Sequence, residues 1–242
     1  MPLKNIYFFL FVLLNFTQSV HSQQNRSEIN FADNYFESKE YSKAKTIYNK
    51  LILEKSNTEK NLLLKLAFIY EKENDNVRLL YYLNLYFNKN PTELVLIKMN
   101  EIATENNLEG YELTDFYLIL LLFKQYSFLL YLLLVAIGLY VVIIFIVKKV
   151  KKQPIEVKHK FVLLLYLIGL FTILNLPKMY NQGIVHQNSA LLRIDPSSAS
   201  PVYQIIQAGN RLNIIGSEDI WLRVLMNNKI LYINKANVWL IK

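Results

Sequence analysis

Two long apolar runs interrupt the otherwise mixed pattern of hydrophobic and polar residues. Tyr126–Val147 has 22 residues without a charge, and Phe161–Leu176 is a second uncharged run of 16 residues. The first run is long enough to cross a bilayer, and flanking lysines can lengthen the second by snorkelling. The pattern predicts transmembrane helices at residues 126–147 and 161–177. For the second run, the alternative is a helix buried in a large soluble core.

The lysines between these runs predict their orientation. Residues 148–160 contain six lysines and one glutamate, and basic loops of this kind stay in the cytoplasm. Lys124 leaves two interpretations of the first helix open. Either the helix begins near Phe116 and Lys124 snorkels, or an interfacial stretch precedes the span.

Residues 1–22 have the three parts of a secretory signal peptide. Lys4 provides the positive charge, Ile6–Phe16 is the apolar core, and Val20-His21-Ser22 fits the cleavage positions. We expect cleavage after Ser22; the alternative is an uncleaved N-terminal anchor. Export of the N-terminus and a cytoplasmic lysine loop together predict that residues 23–115 and 178–242 face the same extracytoplasmic compartment.

A second pattern repeats with an offset of 35 residues and has helical spacing. The matched pairs are Ala32/Ala67, Tyr35/Tyr70, Tyr41/Asn76, Ala44/Leu79, Tyr48/Leu83 and Leu51/Tyr86. Small residues allow two helices to approach closely, and aromatic residues fill the space between them. The pattern predicts an all-α domain over residues 23–110, with repeats at about 25–58 and 60–93 and a capping helix at 92–105.

These two units resemble the tetratricopeptide repeat, and the first is the better match. The resemblance implies a concave groove, lined by the first helix of each repeat, that binds an extended peptide or a partner helix. The side chains at the matching positions are Asp33, Phe36, Glu37, Phe68, Glu71 and Lys72. The alternative is that the two phenylalanines are packing residues and the acids a solvated face.

From Gly183 onward the period of the hydrophobic residues changes to two. Short β-rich runs lie at residues 184–186, 190–194, 211–215, 221–226, 230–234 and 238–241. Asn227-Asn228 stands between two of these runs, where asparagine tolerates the positive φ of a tight hairpin. Five or six short strands over residues 182–242 predict a small all-β barrel.

This C-terminal segment resembles the bacterial SH3-type domain through Arg193, Gly209, the Trp221-Leu222-Arg223-Val224 run and Tyr232. Leu231-Tyr232 replaces the Gly-Trp pair usual in that family. The resemblance implies binding of peptidoglycan stems or of peptides. Tyr203, Trp221, Tyr232 and Trp239 are candidates for an aromatic shelf that binds a Pro-rich peptide or a sugar. The alternative is that these aromatic residues form the core of a small domain.

Composition excludes several classes of chemistry. The chain has no cysteine, which rules out a disulfide scaffold, a thiolate zinc site and a cysteine nucleophile. The three histidines, His21, His159 and His186, are too dispersed to predict a metal site. We therefore expect no catalytic residues, no cofactor and no metal. The net charge of +8 does not predict nucleic-acid binding, because its densest part lies between the apolar runs.

The predicted fold class is a multidomain membrane protein with helical repeats, a two-helix transmembrane hairpin and a C-terminal SH3-like barrel. This arrangement resembles the E component of the Bacteroides aerotolerance (Bat) operon, a family of bacterial inner-membrane proteins with periplasm-facing domains. The resemblance implies a scaffold in an envelope complex linked to aerotolerance or stress. Its partners would be other membrane proteins of that operon, some with von Willebrand-type domains.

The residues themselves are consistent with a non-enzymatic adaptor. A hairpin would bring two extracytoplasmic protein-interaction modules to one membrane face, at high mutual effective concentration. The alternative function is a cell-wall anchor in which the barrel binds peptidoglycan and the repeats only position it.

Overall fold

A computed structural model of the chain describes residues 27–55, 59–112, 115–154, 157–175 and 181–241. These residues divide into two compact units, with the boundary between Tyr86 and Phe87. We call residues 27–86 the helical unit and residues 87–241 the C-terminal unit. The predicted signal peptide at residues 1–22 lies outside the described residues.

The N-terminal half of the chain is helical. Five helices follow one another as α1 (27–37), α2 (Tyr41–Lys55), α3 (Lys60–Lys72), α4 (Asn76–Lys89) and α5 (Glu93–Glu105). The second helix of each predicted repeat begins at Tyr41 and at Asn76, which are 35 residues apart. The helix starts therefore follow the period found in the sequence.

The turns inside the two helix pairs have the same geometry. Lys39 and Asn74, again 35 residues apart, both have positive φ, at 63° and 56°. In each turn the next residue donates its N–H to a carbonyl five residues back: Glu40 to Tyr35 and Asp75 to Tyr70, both at 2.9 Å. This is the Schellman ending, which satisfies the last free carbonyls of a helix. The period thus fixes the turns as well as the helices.

The core of the helical unit contains most of the repeated positions. Ala32 and Ala44 of the first repeat and Ala67 of the second are buried, which lets neighbouring helices approach closely. Tyr48 and Leu83, a matched pair in the sequence, are also buried. The departure from the pattern at Leu79, where the first copy has alanine, is accommodated as another buried apolar side chain.

Helix α5 falls in the C-terminal unit, although the sequence predicted it as the cap of the repeats. Its observed bounds, Glu93–Glu105, lie within the predicted range 92–105. A terminal cap normally has a polar outer face. Leu94 and Ile97 on α5 are instead exposed. The structural partner of the end of α5 is the β-sheet described below.

Two apolar helices follow, α6 (Asp115–Val150) and α7 (Val157–Asn175). Residues Tyr126–Val150 and Val157–Leu174 are long and apolar enough to cross a membrane. Their apolar side chains are largely exposed, as lipid-facing side chains would be. Both helices extend beyond the predicted bounds. Helix α6 begins at Asp115, which favours the continuous helix of the two interpretations, and α7 begins four residues before Phe161.

The C-terminal strands form one antiparallel sheet of seven strands. They are β1 (Asn181–Val185), β2 (Ala190–Arg193), β3 (Val202–Ile206), β4 (Arg211–Glu218), β5 (Trp221–Met226), β6 (Lys229–Asn234) and β7 (Val238–Ile241). Their spatial order is β3-β2-β6-β5-β4-β1-β7. Within the described residues no ladder joins β3 to β7, so the sheet is not closed. The predicted hairpin at Asn227-Asn228 is confirmed, since both residues have positive φ and Met226 pairs with Lys229.

Alternating side chains of these strands form the sheet's core. Leu192, Val224 and Ile233, from three adjacent strands, are fully buried in one cluster. Gly183 on β1 is required by packing, because an added Cβ would lie 2.5 Å from a methyl carbon of Val238. The sequence did not predict β3. This strand lies at one edge of the sheet, and two of its apolar side chains, Val202 and Ile205, are exposed.

Candidate functional site

The six predicted groove residues lie on α1 and α3, as the repeat pattern implied. Asp33 is only partly accessible because two neighbours contact its carboxylate. Tyr48 on α2 donates a hydrogen bond to Oδ1 at 2.5 Å, and Lys65 on α3 forms an ion pair with the same oxygen at 2.7 Å. Burial raises the pKa of the Tyr48 hydroxyl, and the hydrogen bond to Asp33 raises it further. Asp33 therefore joins three helices.

Phe36 and Phe68 are brought together by the fold. Their ring centroids are 5.6 Å apart, and Tyr41 packs edge-on against both, at 5.5 and 5.7 Å. We call Phe36, Tyr41 and Phe68 the aromatic cluster. Edge-to-face pairs of this kind stabilise beyond the area they bury. Phe68 remains 36% exposed, so the cluster both packs and presents a surface.

Two lysines lie over the aromatic cluster. Lys72 Nζ is 5.4 Å from the Phe68 ring centroid, and Lys65 Nζ is 5.7 Å from that of Phe36. The other two predicted residues, Glu37 and Glu71, are exposed on the same helices. The sequence did not predict Lys65 or Tyr41 as groove residues, although Tyr41 is one of the repeated positions. The available signal was that Lys65 precedes Phe68 by one helical turn on α3.

A separate polar cluster connects α2, α3 and α4 within the helical unit. The Asn49 side chain donates to the Tyr70 hydroxyl at 3.0 Å and accepts from the Tyr82 hydroxyl at 2.7 Å. The rings of Tyr70 and Tyr82 are stacked, with centroids 5.4 Å apart. These groups satisfy one another, so this cluster is structural and no ligand is needed to complete it.

The four aromatic residues predicted as a shelf lie on four different strands. Tyr203 is on edge strand β3 under Lys229, and Trp239 is on β7 at the other end of the strand order, stacked on His186 at 4.5 Å. Trp221 is buried and pairs with Asn234, while Tyr232 pairs with arginines. In the strand register, none of these four aromatic residues is therefore directly paired with another.

The sheet instead aligns Arg193, Tyr232 and Arg223. Tyr232 on β6 is the paired neighbour of Arg193 on β2 and of Arg223 on β5. Arg223 lies over Gly216, where an added Cβ would be 2.6 Å from a guanidinium nitrogen. Arg193 also donates to the carbonyl of Ser200. This row of two cations and one aromatic ring lies on the face of the sheet opposite its core.

The chain just before α6 is bound to the sheet that follows α7. We call this contact, between residues 106–111 and 207–211, the linker clamp. Its hydrogen bonds are Gln207 Nε2 to the Asn106 and Asn107 carbonyls, Glu109 N to Asn210 Oδ1, Arg211 N to the Glu109 carbonyl, Arg211 Nε to the Gly110 carbonyl, and Tyr111 Oη to the Gly209 carbonyl. These six bonds are 2.8 to 3.1 Å long.

The centre of the linker clamp is buried. Tyr111 and Arg211 are each 4% exposed, and the guanidinium carbon lies 4.7 Å from the tyrosine ring centroid. Burial raises the pKa of Tyr111, and the positive charge of Arg211 opposes part of that rise. Gly110 and Gly209 have φ values of +91° and +97°. An added Cβ at Gly110 would overlap the Arg211 carbonyl oxygen, so the backbones can approach only without a side chain there.

The described residues contain no group of three His, Asp or Glu side chains close enough to hold a metal ion. His186 is bonded to the carbonyl of Ala236 and stacked on Trp239. The Glu73 carboxylate forms an ion pair with Lys45 at 2.6 Å. Comparison with known proteins found no protein-family model and no curated protein that matches this chain.

Proposed function

We propose that this protein is a non-enzymatic, membrane-anchored adaptor. In this proposal α6 and α7 form a transmembrane hairpin, and the helical repeats and an SH3-like β-domain face the same extracytoplasmic compartment. The repeats recruit a protein partner, and the β-domain provides the second interaction surface. The membrane would be a bacterial inner membrane, as the resemblance to the Bat operon's E component implies.

The linker clamp is the observation that carries the topology. A chain that crosses a bilayer twice returns to the side from which it started. The clamp bonds residues 106–111, before the hairpin, to residues 207–211, after it. A single crossing would separate the two partners by a hydrocarbon layer about 30 Å thick. The lysines between the helices then lie in the cytoplasm, in agreement with the positive-inside rule.

The aromatic cluster supports the recruiting role of the repeats. It exposes an apolar surface on the helices that line the groove of tetratricopeptide repeats, with the ammonium group of Lys72 beside it. Such a surface suits an extended peptide or helix that combines apolar side chains with a carboxylate. The exposed carboxylates Glu37 and Glu71 on the same helices would add selectivity by repelling negative charge in the wrong register.

The topology can be tested with single cysteines, because the chain has none of its own. Glu37→Cys, Ser198→Cys and Lys151→Cys place one thiol each at exposed sites in the repeats, the β-domain and the lysine loop. We expect a membrane-impermeant maleimide to label positions 37 and 198 in cells with a permeabilised outer membrane, and position 151 only after detergent. Labelling of 151 before detergent, or protection of 198, would refute the topology.

The adaptor function can be tested with a photocrosslinking amino acid at Glu37 in the full-length protein in its own membrane. We expect crosslinks to a membrane protein, reduced at least fivefold by Phe36→Ala/Phe68→Ala. Phe31→Ala is the matched control, since Phe31 is an exposed α1 aromatic residue outside the cluster. Crosslinks that persist in the double variant, together with binding of the full-length protein to cell-wall sacculi, would instead support the peptidoglycan anchor.

A further inference from the structure

The hairpin contains a groove whose composition changes along its length. Near the middle of α6, the Tyr166 hydroxyl of α7 donates to the Leu134 carbonyl at 2.6 Å. Gly138 allows this approach, since an added Cβ would lie 3.0 Å from the same hydroxyl oxygen. From this crossing, a groove of about 350 Å³ runs between the helices toward the lysine loop.

The groove has an apolar body and a cationic end. Its walls include Ile137, Val141 and Phe145 on α6 and Leu163 on α7. Lys148, Lys158 and His159 line it where the helices reach the loop. The His159 Nδ1 atom is buried and has no hydrogen-bond partner among the described residues. An apolar trough that ends in two lysines is complementary to an amphiphile with an anionic headgroup.

The dimensions match one leaflet of a bilayer. Ile137 and Lys148 are 11 residues apart on α6, about 16 Å at 1.5 Å per residue. The hydrocarbon core of one leaflet is about 15 Å thick. A phospholipid whose phosphate lies beside the lysines would therefore have its acyl chain along the groove, ending near Tyr166.

We propose that this groove binds one anionic phospholipid of the leaflet that faces the lysine loop. The acyl chain lies between α6 and α7, and the headgroup phosphate is held by Lys148 and Lys158 where the helices reach the loop. This inference goes beyond the adaptor function and depends only on α6 and α7 crossing the membrane, which the cysteine labelling tests separately.

Native mass spectrometry of the full-length protein released from detergent micelles tests the site. The probes are phosphatidylglycerol and phosphatidylcholine with identical acyl chains. We expect phosphatidylglycerol to be retained preferentially, and Lys148→Gln/Lys158→Gln to weaken its binding about 25-fold, or about fivefold for each lysine. Lys149→Gln/Lys151→Gln removes the same charge from residues that do not line the groove and should change binding less than twofold.

Further variants and a competitor test the contributions of the acyl chain and of the headgroup charge separately. Val141→Phe/Leu163→Phe fills the groove and keeps every cation, so binding should fall at least tenfold. Glycerol phosphate, which carries the headgroup charge without acyl chains, should not displace the lipid at millimolar concentration. Lys148→Arg/Lys158→Arg keeps both positive charges and should retain the lipid as the wild type does, since charge at these two positions determines binding. Equal retention of both lipids, full displacement by glycerol phosphate, or equal losses in the two glutamine pairs would overturn the proposal.

Discussion

The helical unit and the linker clamp connect distant parts of the chain by different means. In the helical unit, side chains such as Asp33, Tyr48 and Lys65 join helices, and the buried small residues Ala32 and Ala67 recur with an offset of 35. In the clamp, mostly backbone carbonyls accept the hydrogen bonds, and two glycines with positive φ allow the approach. Packing between helices leaves a periodic pattern in the sequence, whereas contacts made by the backbone leave little more than a glycine.

The largest effect should come from breaking the backbone junction. Gly110→Ala puts a methyl group against the Arg211 carbonyl and strains the left-handed conformation. We expect it to lower the free energy of unfolding of the C-terminal unit by about 3 kcal/mol. Tryptophan fluorescence during thermal unfolding measures this, since both tryptophans, Trp221 and Trp239, are in the sheet.

Gly169→Ala is the matched control for that variant, because no atom lies within 4 Å of the added Cβ. It should unfold at the wild-type temperature. A Gly110→Ala protein with an unchanged transition would show that the clamp does not stabilise the sheet.

The side-chain junction should be the next most sensitive. Tyr48→Phe removes the hydrogen bond to Asp33 and leaves a partly buried carboxylate with one fewer donor. We expect a loss of about 2 kcal/mol, typical of a bond to a charged group, in urea unfolding of the full-length protein followed by helical circular dichroism. Tyr35→Phe, which keeps the edge contact with Phe31, should be close to neutral. Equal losses in the two variants would show that Tyr48 acts only through its ring.

The pH dependence of stability distinguishes the buried Tyr111 of the clamp from solvent-exposed tyrosines. Tyr111 has a raised pKa in the folded protein, whereas it ionises near 10 in the unfolded chain. The unfolded state therefore loses the proton first, and stability falls as the pH rises above about 10. At pH 11 the loss from one such tyrosine is about 1.4 kcal/mol.

Tyr111→Phe should remove that part of the alkaline loss while costing stability at neutral pH, since the hydrogen bond to Gly209 is gone. The measurement is the transition of the tryptophan fluorescence between pH 8 and 11. If stability fell equally with pH in the wild type and the variant, the alkaline loss would come from the ionisation of groups other than Tyr111.

The smallest change in the free energy of unfolding is expected from variants in the two repeat turns. Asp75 accepts a hydrogen bond from the Arg78 N–H at 3.0 Å, which caps α4. Asp75→Ala should cost about 1 kcal/mol in urea unfolding of the full-length protein. At the equivalent position, Glu40 forms an exposed ion pair with Lys43, so Glu40→Ala should give no measurable change. If both variants were equally destabilised, the two turns would be energetically equivalent as well as geometrically alike.

The sequence predicted those parts of the fold that local physics determines. The 35-residue spacing between the helix starts at Tyr41 and Asn76 follows from the period of the repeats, and the Asn227-Asn228 hairpin follows from the tolerance of asparagine for positive φ. The apolar helices were located by length and charge. The start of α6 was left open between two interpretations, of which the structure favours the continuous helix, and α7 begins four residues before the predicted Phe161.

The features that the sequence did not predict depend on pairing across long distances. Strand β3 lies at the sheet edge and keeps Val202 and Ile205 exposed, so it lacks a clear alternating pattern. The aromatic cluster includes two predicted groove residues, Phe36 and Phe68, because each lies on the first helix of a repeat. The predicted shelf had no comparable period, and Tyr203 and Trp239 lie on the strands at the two ends of the strand order. The shelf stays a prediction.

The linker clamp also has a consequence for how the protein is made. Residues 207–211 leave the ribosome about a hundred residues after 106–111, and in the proposed topology both α6 and α7 must be inserted before the two segments meet. Until then Tyr111 lacks the Gly209 carbonyl, and Arg211 lacks the Gly110 carbonyl. In that topology the clamp could close only after both helices are inserted, so a chain stalled after its first span would leave these groups without their partners.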